Sequence, residues 1–183
     1  SQQYNSLGIN ATIEVTGGDG CYTHIDQNQP QYQFTSYVYS NYYRSANTGA
    51  TFNGLTNSNL GYFVNPSDYD NQNNNLYSSR GSGDYNVILN APASNAFTTV
   101  TVAAFNSGRA THISVSPNTA NRVFFGLNNG RIVRVDNAHT TTPTATNITG
   151  AGMPGSTVSC IAVETGNDNH LLATYSSYGV NSV

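Results

Sequence analysis

The chain has 183 residues, enough to bury a sizeable core as one domain, yet only 8% of them are charged, the net charge is -3, and all six cations are arginine. Such a weak field gives no electrostatic reason to expect nucleic acid or an anionic membrane as partner. A hydrophobic share of 37% with 13 tyrosines excludes a disordered tract, and no apolar run approaches the roughly 18 residues of a membrane span.

No basic-then-apolar leader opens the sequence, which reads as a mature piece. Residues 1–10 are polar with little periodicity, and residues 11–16 (ATIEVT) alternate as a strand would. Gly17-Gly18-Asp19-Gly20 then forces a sharp turn. From there a pattern of strand, polar turn, strand, tight turn and strand recurs four times, over about residues 21–54, 62–95, 112–150 and 160–183.

In the first copy, Tyr22-Thr23-His24-Ile25-Asp26 is the leading strand, a polar turn surrounds Pro30, and further strands fall at 32–39 and 41–44. The second copy opens on Tyr62-Phe63-Val64-Asn65-Pro66 and continues after a long Asp/Asn turn with 75–78 and 85–89. The third is the clearest. Ile113-Ser114-Val115 alternates, Pro117 to Asn121 breaks the strand, Arg122-Val123-Phe124-Phe125 resumes it, and Asn129-Gly130 predicts a two-residue turn with both residues at positive φ. The fourth pairs Ile161-Ala162-Val163 with residues 170–175 across Gly166-Asn167.

With Ile25, Val64, Val115 and Val163 as equivalent positions, the copies are spaced by 39 (64 − 25), 51 (115 − 64) and 48 (163 − 115) residues. Short strands repeating every 40 to 50 residues are the signature of propeller blades, so the expected fold is an all-β β-propeller, with about four blades belonging to a larger ring. A sandwich would give turn signals without the internal copying.

The residues 45–52, Ser45-Ala46-Asn47-Thr48-Gly49-Ala50-Thr51-Phe52, resemble the Asp box of secreted BNR-repeat propellers, with Asn47 in place of the aspartate and Ser45, Gly49 and Phe52 matching. Together with GGDGCYTHIDQNQPQ and NYYRSANTGATF, they look like the glycosyl-hydrolase-type and sortilin-like propellers of Bacteroidota-type secreted proteins, which are often carried by type IX secretion. The resemblance implies a secreted or cell-surface location, and a structural role for the box away from any ligand.

Residues able to carry chemistry are sparse. A glycoside hydrolase needs two carboxylates facing one another across a sugar, and Asp19, flanked by glycines, is the best single candidate. The simpler reading of Asp19 is a turn cap. Tyr39, Tyr42, Tyr43 and Tyr178 could stack on sugar rings, or fill the space between blades. The four histidines are scattered, and Cys21 and Cys160 lack metal-ligand spacing, so neither a metal nor a cofactor is expected. The two cysteines could pair as a disulfide or stand as buried thiols. The leading expectation is a non-catalytic binding or adhesion module recognising glycan or extracellular protein. The alternatives are a glycoside hydrolase of the Asp-box kind and a structural subunit of an extracellular assembly that self-associates or is completed by the remainder of a longer chain.

Overall fold

The computed structural model describes residues 2–3 and 13–176. Apart from one 3-10 turn at Ala103–Phe105, every regular element among these residues is a β-strand. A short pair, β1 (Gln2–Gln3) with β2 (Ile13–Glu14), comes first. Blade 1 follows as β3 (Thr23–Ile25), β4 (Gln33–Ser36), β5 (Tyr42–Ser45) and β6 (Asn53–Thr56). Blade 2 is β7 (Ser67–Asp70), β8 (Asn75–Gly81), β9 (Asp84–Ile88) and β10 (Phe97–Thr101). Blade 3 is β11 (Ala110–Val115), β12 (Val123–Leu127), β13 (Ile132–Asp136) and β14 (Thr144–Asn147), and blade 4 pairs β15 (Val158–Glu164) with β16 (Asn167–Tyr175). Each sheet is an antiparallel meander in which strands adjacent in sequence are adjacent in space. No helix among the described residues is long and apolar enough to cross a membrane.

The blades stack face to face, and each junction has its own apolar core. Between blades 1 and 2, Phe34, Tyr42 and Leu55 meet Tyr69, Leu76 and Ile88. Between blades 2 and 3, Tyr77, Tyr85, Val87 and Val100 meet Ile113, Val123, Phe125 and Val133. Phe124 and Ile132 of blade 3 meet Val158, Ile161 and Tyr175 of blade 4. A blade lying between two others buries both of its faces, so its strands read as nearly continuous apolar runs, as Val123–Leu127 does.

Two local expectations are corrected. The leading strand of blade 2 is Ser67–Asp70, and residues 62–66 form a loop ahead of it. Pro66 supplies no backbone donor for a ladder and pins the residue before it, which ends the strand reading of Tyr62-Phe63-Val64. The register then aligns Ile25, Tyr69, Val115 and Val163, opposite Gln33, Leu76, Val123 and Leu171. The true spacings are 44 (69 − 25), 46 (115 − 69) and 48 (163 − 115), more regular than the sequence alone suggested. The second correction is at Asn129-Gly130. Only Gly130 takes a positive φ, +83°, its N–H donates to the Leu127 carbonyl at 3.2 Å, and Leu127 N–H reaches the Arg131 carbonyl, so the loop holds three residues, 128–130, rather than two. The chain nevertheless returns antiparallel, Phe124 lying opposite Arg134.

Because strand direction alternates, each blade's first and third turns lie at one end of the stack. Its second turn and the link to the next blade lie at the other. The first end is sewn together by polar side chains. Asp26, Asp70 and Ser116 occupy the same place at the end of their leading strands, and a side-chain oxygen of each accepts two backbone N–H groups of the turn that follows. Tyr69 donates its hydroxyl to Asp26 at 2.8 Å, and Asn28 donates to the Asn71 carbonyl, joining blades 1 and 2. Asp168 joins blades 3 and 4, accepting from Ser116, Asn118, Thr119 and Arg122. Burial alone would raise its carboxyl, but these four donors outweigh that and hold it below the usual carboxylate range.

The Ser45–Phe52 turn lies at this same end. Asn47 Oδ1 accepts the Thr51 N–H at 2.9 Å and Ser45 Oγ accepts the Gly49 N–H at 2.9 Å. Asn47 thereby closes the turn with its side-chain oxygen, the part a carboxylate oxygen would play there.

Candidate functional site

The opposite end carries a cluster of exposed apolar side chains on the link between blades 1 and 2. The 57–66 link between blades 1 and 2 is held by its backbone and by one buried side chain, leaving other side chains free. Asn65 is fully buried; its Oδ1 accepts the Tyr62 N–H at 3.0 Å, and its Nδ2 donates to the Ser79 carbonyl at 2.9 Å and to Ser40 Oγ at 3.1 Å. Ser40 N–H reaches the Ser58 carbonyl, and its hydroxyl donates to the Leu60 carbonyl. Gly61 takes φ +93°, and a Cβ there would lie 2.3 Å from Asn65 Oδ1, so the loop closes against Asn65 only with glycine at 61.

On this fixed backbone Leu60, Phe63 and Val64 are 42%, 51% and 57% exposed, three large apolar side chains within five residues. Tyr62, Phe63, Val64, Pro66 and Thr111 line a concavity of about 330 Å³. Arg109 stacks over the Tyr62 ring at 4.8 Å, a cation–π contact at its rim. Tyr39 stands beside Phe63 with ring centroids 5.8 Å apart and planes at 81°, and its N–H donates to the Phe63 carbonyl. Tyr39 has φ +60°, an uncommon value for a bulky residue that the surrounding hydrogen bonds enforce.

Of the tyrosines singled out from sequence that lie among the described residues, Tyr39 alone is thus brought to this surface. Tyr42 is 2% exposed in the blade 1–2 core and its hydroxyl accepts from Asn65, so it presents no ring face to a ligand. Alternation places Tyr43 on the other face of β5, half-buried. Tyr178 lies outside the described residues. Asp19 is exposed on its glycine-rich turn, where its carbonyl accepts the Cys21 thiol at 3.6 Å. Cys21 is half-buried and Cys160 exposed, both as free thiols. Burial raises the Cys21 thiol pKa, with Asp19 adding to it against the Asn65 N–H. Burial also raises the Tyr22 hydroxyl, with smaller contributions from Cys160 and Cys21, both of which lie near it.

Among the described residues no three His, Cys, Asp or Glu side chains converge as a metal site would require. The arginines serve the frame. Arg44 donates to the carbonyls of Ala91 and Ser94, Arg131 to that of Ala104, and Arg80, Arg122 and Arg134 pair with aspartates. His24 and His112 bridge neighbouring leading strands, His24 Nε2 lying 2.9 Å from Ser67 Oγ and His112 Nε2 3.1 Å from the Ile161 carbonyl. Sequence reasoning missed Leu60, Phe63, Val64 and Arg109. The available signal was Pro66, which should have turned Tyr62-Phe63-Val64 from a buried strand into an exposed loop.

Two solved structures share this architecture. YCF48 from Cyanidioschyzon merolae matches with a TM-score of 0.57 and 16% identity over 80% of this chain and 48% of that one. A structure of YCF48 bound to D1 peptide matches with a TM-score of 0.64 and 13% identity over 92% of this chain and 52% of that one. The likeness is one of fold, and the chain spans about half the length of the chains it matches. No protein-family profile matches the sequence, and no curated protein does. The sheets, their junctions and these neighbours agree that the chain is an all-β propeller of about four blades.

Proposed function

We propose that the chain is a non-catalytic binding module of an extracellular or cell-surface protein, and that it recognises an extended polypeptide segment at the loop end, seating an apolar side chain against Tyr62, Phe63, Val64 and Pro66. The observation that carries this reading is the exposure of Leu60, Phe63 and Val64 on a loop whose backbone is already fixed. Folding has ordered the loop in advance, so binding there loses little conformational entropy. A propeller fold supports a protein-interaction module in general, and one structural neighbour is bound to a peptide. The Ser45–Phe52 turn supports kinship with secreted Asp-box propellers.

The test is selection of a displayed peptide library on the purified chain, with a glycan array in parallel. Selected peptides should bind Phe63→Ser about 30-fold more weakly, the loss expected of an anchor worth roughly 2 kcal/mol. Peptide binding that Phe63→Ser and Val64→Ser leave intact, or binders found only on the glycan array, would refute this reading.

A further inference from the structure

Five of the six arginines donate to carbonyls or aspartates of the frame, and Arg109 does not. Among the described residues no oxygen accepts from its guanidinium, which rests over the Tyr62 ring at 4.8 Å. Both partners of that stack stand on fixed backbone. Arg109 N–H donates to Asn128 Oδ1 at 2.9 Å and its carbonyl accepts the Asn128 N–H at 3.0 Å, while Tyr62 N–H donates to the buried Asn65. The half-buried cation is thus placed before any partner arrives, and a ring face satisfies its charge in part but none of its N–H donors.

Tyr62 belongs to both features: its ring carries Arg109, and it lines the concavity with Phe63, Val64, Pro66 and Thr111. A side chain seated in the concavity therefore lies beside an unpaired positive charge. The fork of a guanidinium matches a planar anion, bound through two parallel N–H groups. A phosphate group carries close to two charges and is served by a cluster of cations, whereas the neighbouring arginines at this end are engaged, Arg80 with Asp84 and Arg131 with the Ala104 carbonyl. One free monocation at an apolar concavity fits one carboxylate beside one apolar side chain.

We infer that the polypeptide segment received at the loop end presents a carboxylate next to its apolar anchor, and that Arg109 is the residue that selects it. This selectivity presupposes the peptide-binding surface proposed above and adds the chemistry of the partner. Alternate side chains of an extended segment project on the same side about 7 Å apart, so the carboxylate belongs to an Asp or Glu two positions from the anchor, or to the C-terminus of a segment that ends beside it. Because the cation is already partly withdrawn from water, acid and amide are told apart more sharply than at a fully exposed arginine.

The experiment takes a synthetic peptide of the sequence selected on the wild type, a copy with its acidic side chain replaced by the matching amide, and a copy with an amidated C-terminus. The Kd of each is measured by calorimetry for wild type, Arg109→Gln and Phe63→Ser. The parent peptide should bind wild type about tenfold more tightly than one of the two neutralised copies, and Arg109→Gln should erase that preference while binding the neutralised copy as well as wild type does. Equal binding of the neutralised copy shows that the concavity is intact in the variant. Which copy loses affinity tells a side-chain carboxylate from a terminal one. Selected peptides without a carboxylate beside the anchor, no loss on either neutralisation, or a preference that Arg109→Gln leaves in place would overturn the inference. Any of these with Phe63→Ser still weakening every peptide would leave the peptide-binding surface standing, whereas a library that yields no binder overturns both.

Discussion

Asp168 ties blade 4 to blade 3 through four side-chain hydrogen bonds, and replacing it by asparagine tests that tie with little change of shape. Its carboxylate accepts from Ser116 Oγ at 2.7 Å, Asn118 Nδ2 at 2.7 Å, Thr119 Oγ1 at 2.6 Å and Arg122 at 2.9 Å, all from blade 3. Asparagine keeps one acceptor oxygen but turns an N–H₂ group toward these donors and strips the Arg122 guanidinium of one of its two carboxylates, Asp136 being the other. Breaking one partner out of a buried pair costs about 3–5 kcal/mol; with Asp136 still in place, about 3 kcal/mol is expected. For a chain of this length that lowers the Tm by roughly 6–12 °C. The pH dependence follows from the depressed native pKa. The unfolded chain holds the Asp168 proton at higher pH than the folded one, so the contribution is complete above the ordinary carboxylate value of about 3.9 and is lost as pH falls through the lower native value. Thermal melts of wild type and Asp168→Asn should differ by a constant amount between about pH 5 and 8 and converge in stronger acid. A gap below about 2 °C at neutral pH, or one that persists undiminished in acid, would refute the assignment.

Three further outcomes are expected. Burial pushes His24 down to about 4 from 6.5, so the unfolded chain takes up its proton first as pH falls; stability drops between those two values by about 3 kcal/mol, and urea midpoints of His24→Gln should lack that decline. Gly61→Ala places a Cβ on Asn65 Oδ1 at positive φ, and should cost more than about 1 kcal/mol while raising hydrogen exchange in the 57–66 loop above that of blade 3. The Tyr175 hydroxyl is buried and has no hydrogen-bond partner among the described residues, so Tyr175→Phe should leave the Tm unchanged or raise it, equivalent to at most about 1–3 kcal/mol of recovered desolvation.

The sequence by itself determined the class of fold, because strand and turn signals are local. Alternation in Ile113-Ser114-Val115, the breaker cluster around Pro117 and the glycines at 130 and 166 each act within a few residues of chain. Their recurrence betrays a repeat whatever the ring does. What tertiary structure alone decided was which copy of a pattern faces which neighbour. Tyr42 and Tyr39 are three residues apart in one tyrosine-rich stretch, yet one is sealed in the blade 1–2 core and the other is held at positive φ on the open end. Phe124 and Leu172 answer to the same place in the repeat and differ only in whether another blade covers them. Burial depends on contacts between residues tens of positions apart, and the exposed cluster at Leu60, Phe63 and Val64 exists because Asn65, reaching Ser40 and Ser79, fixes a loop that local propensity reads as a strand.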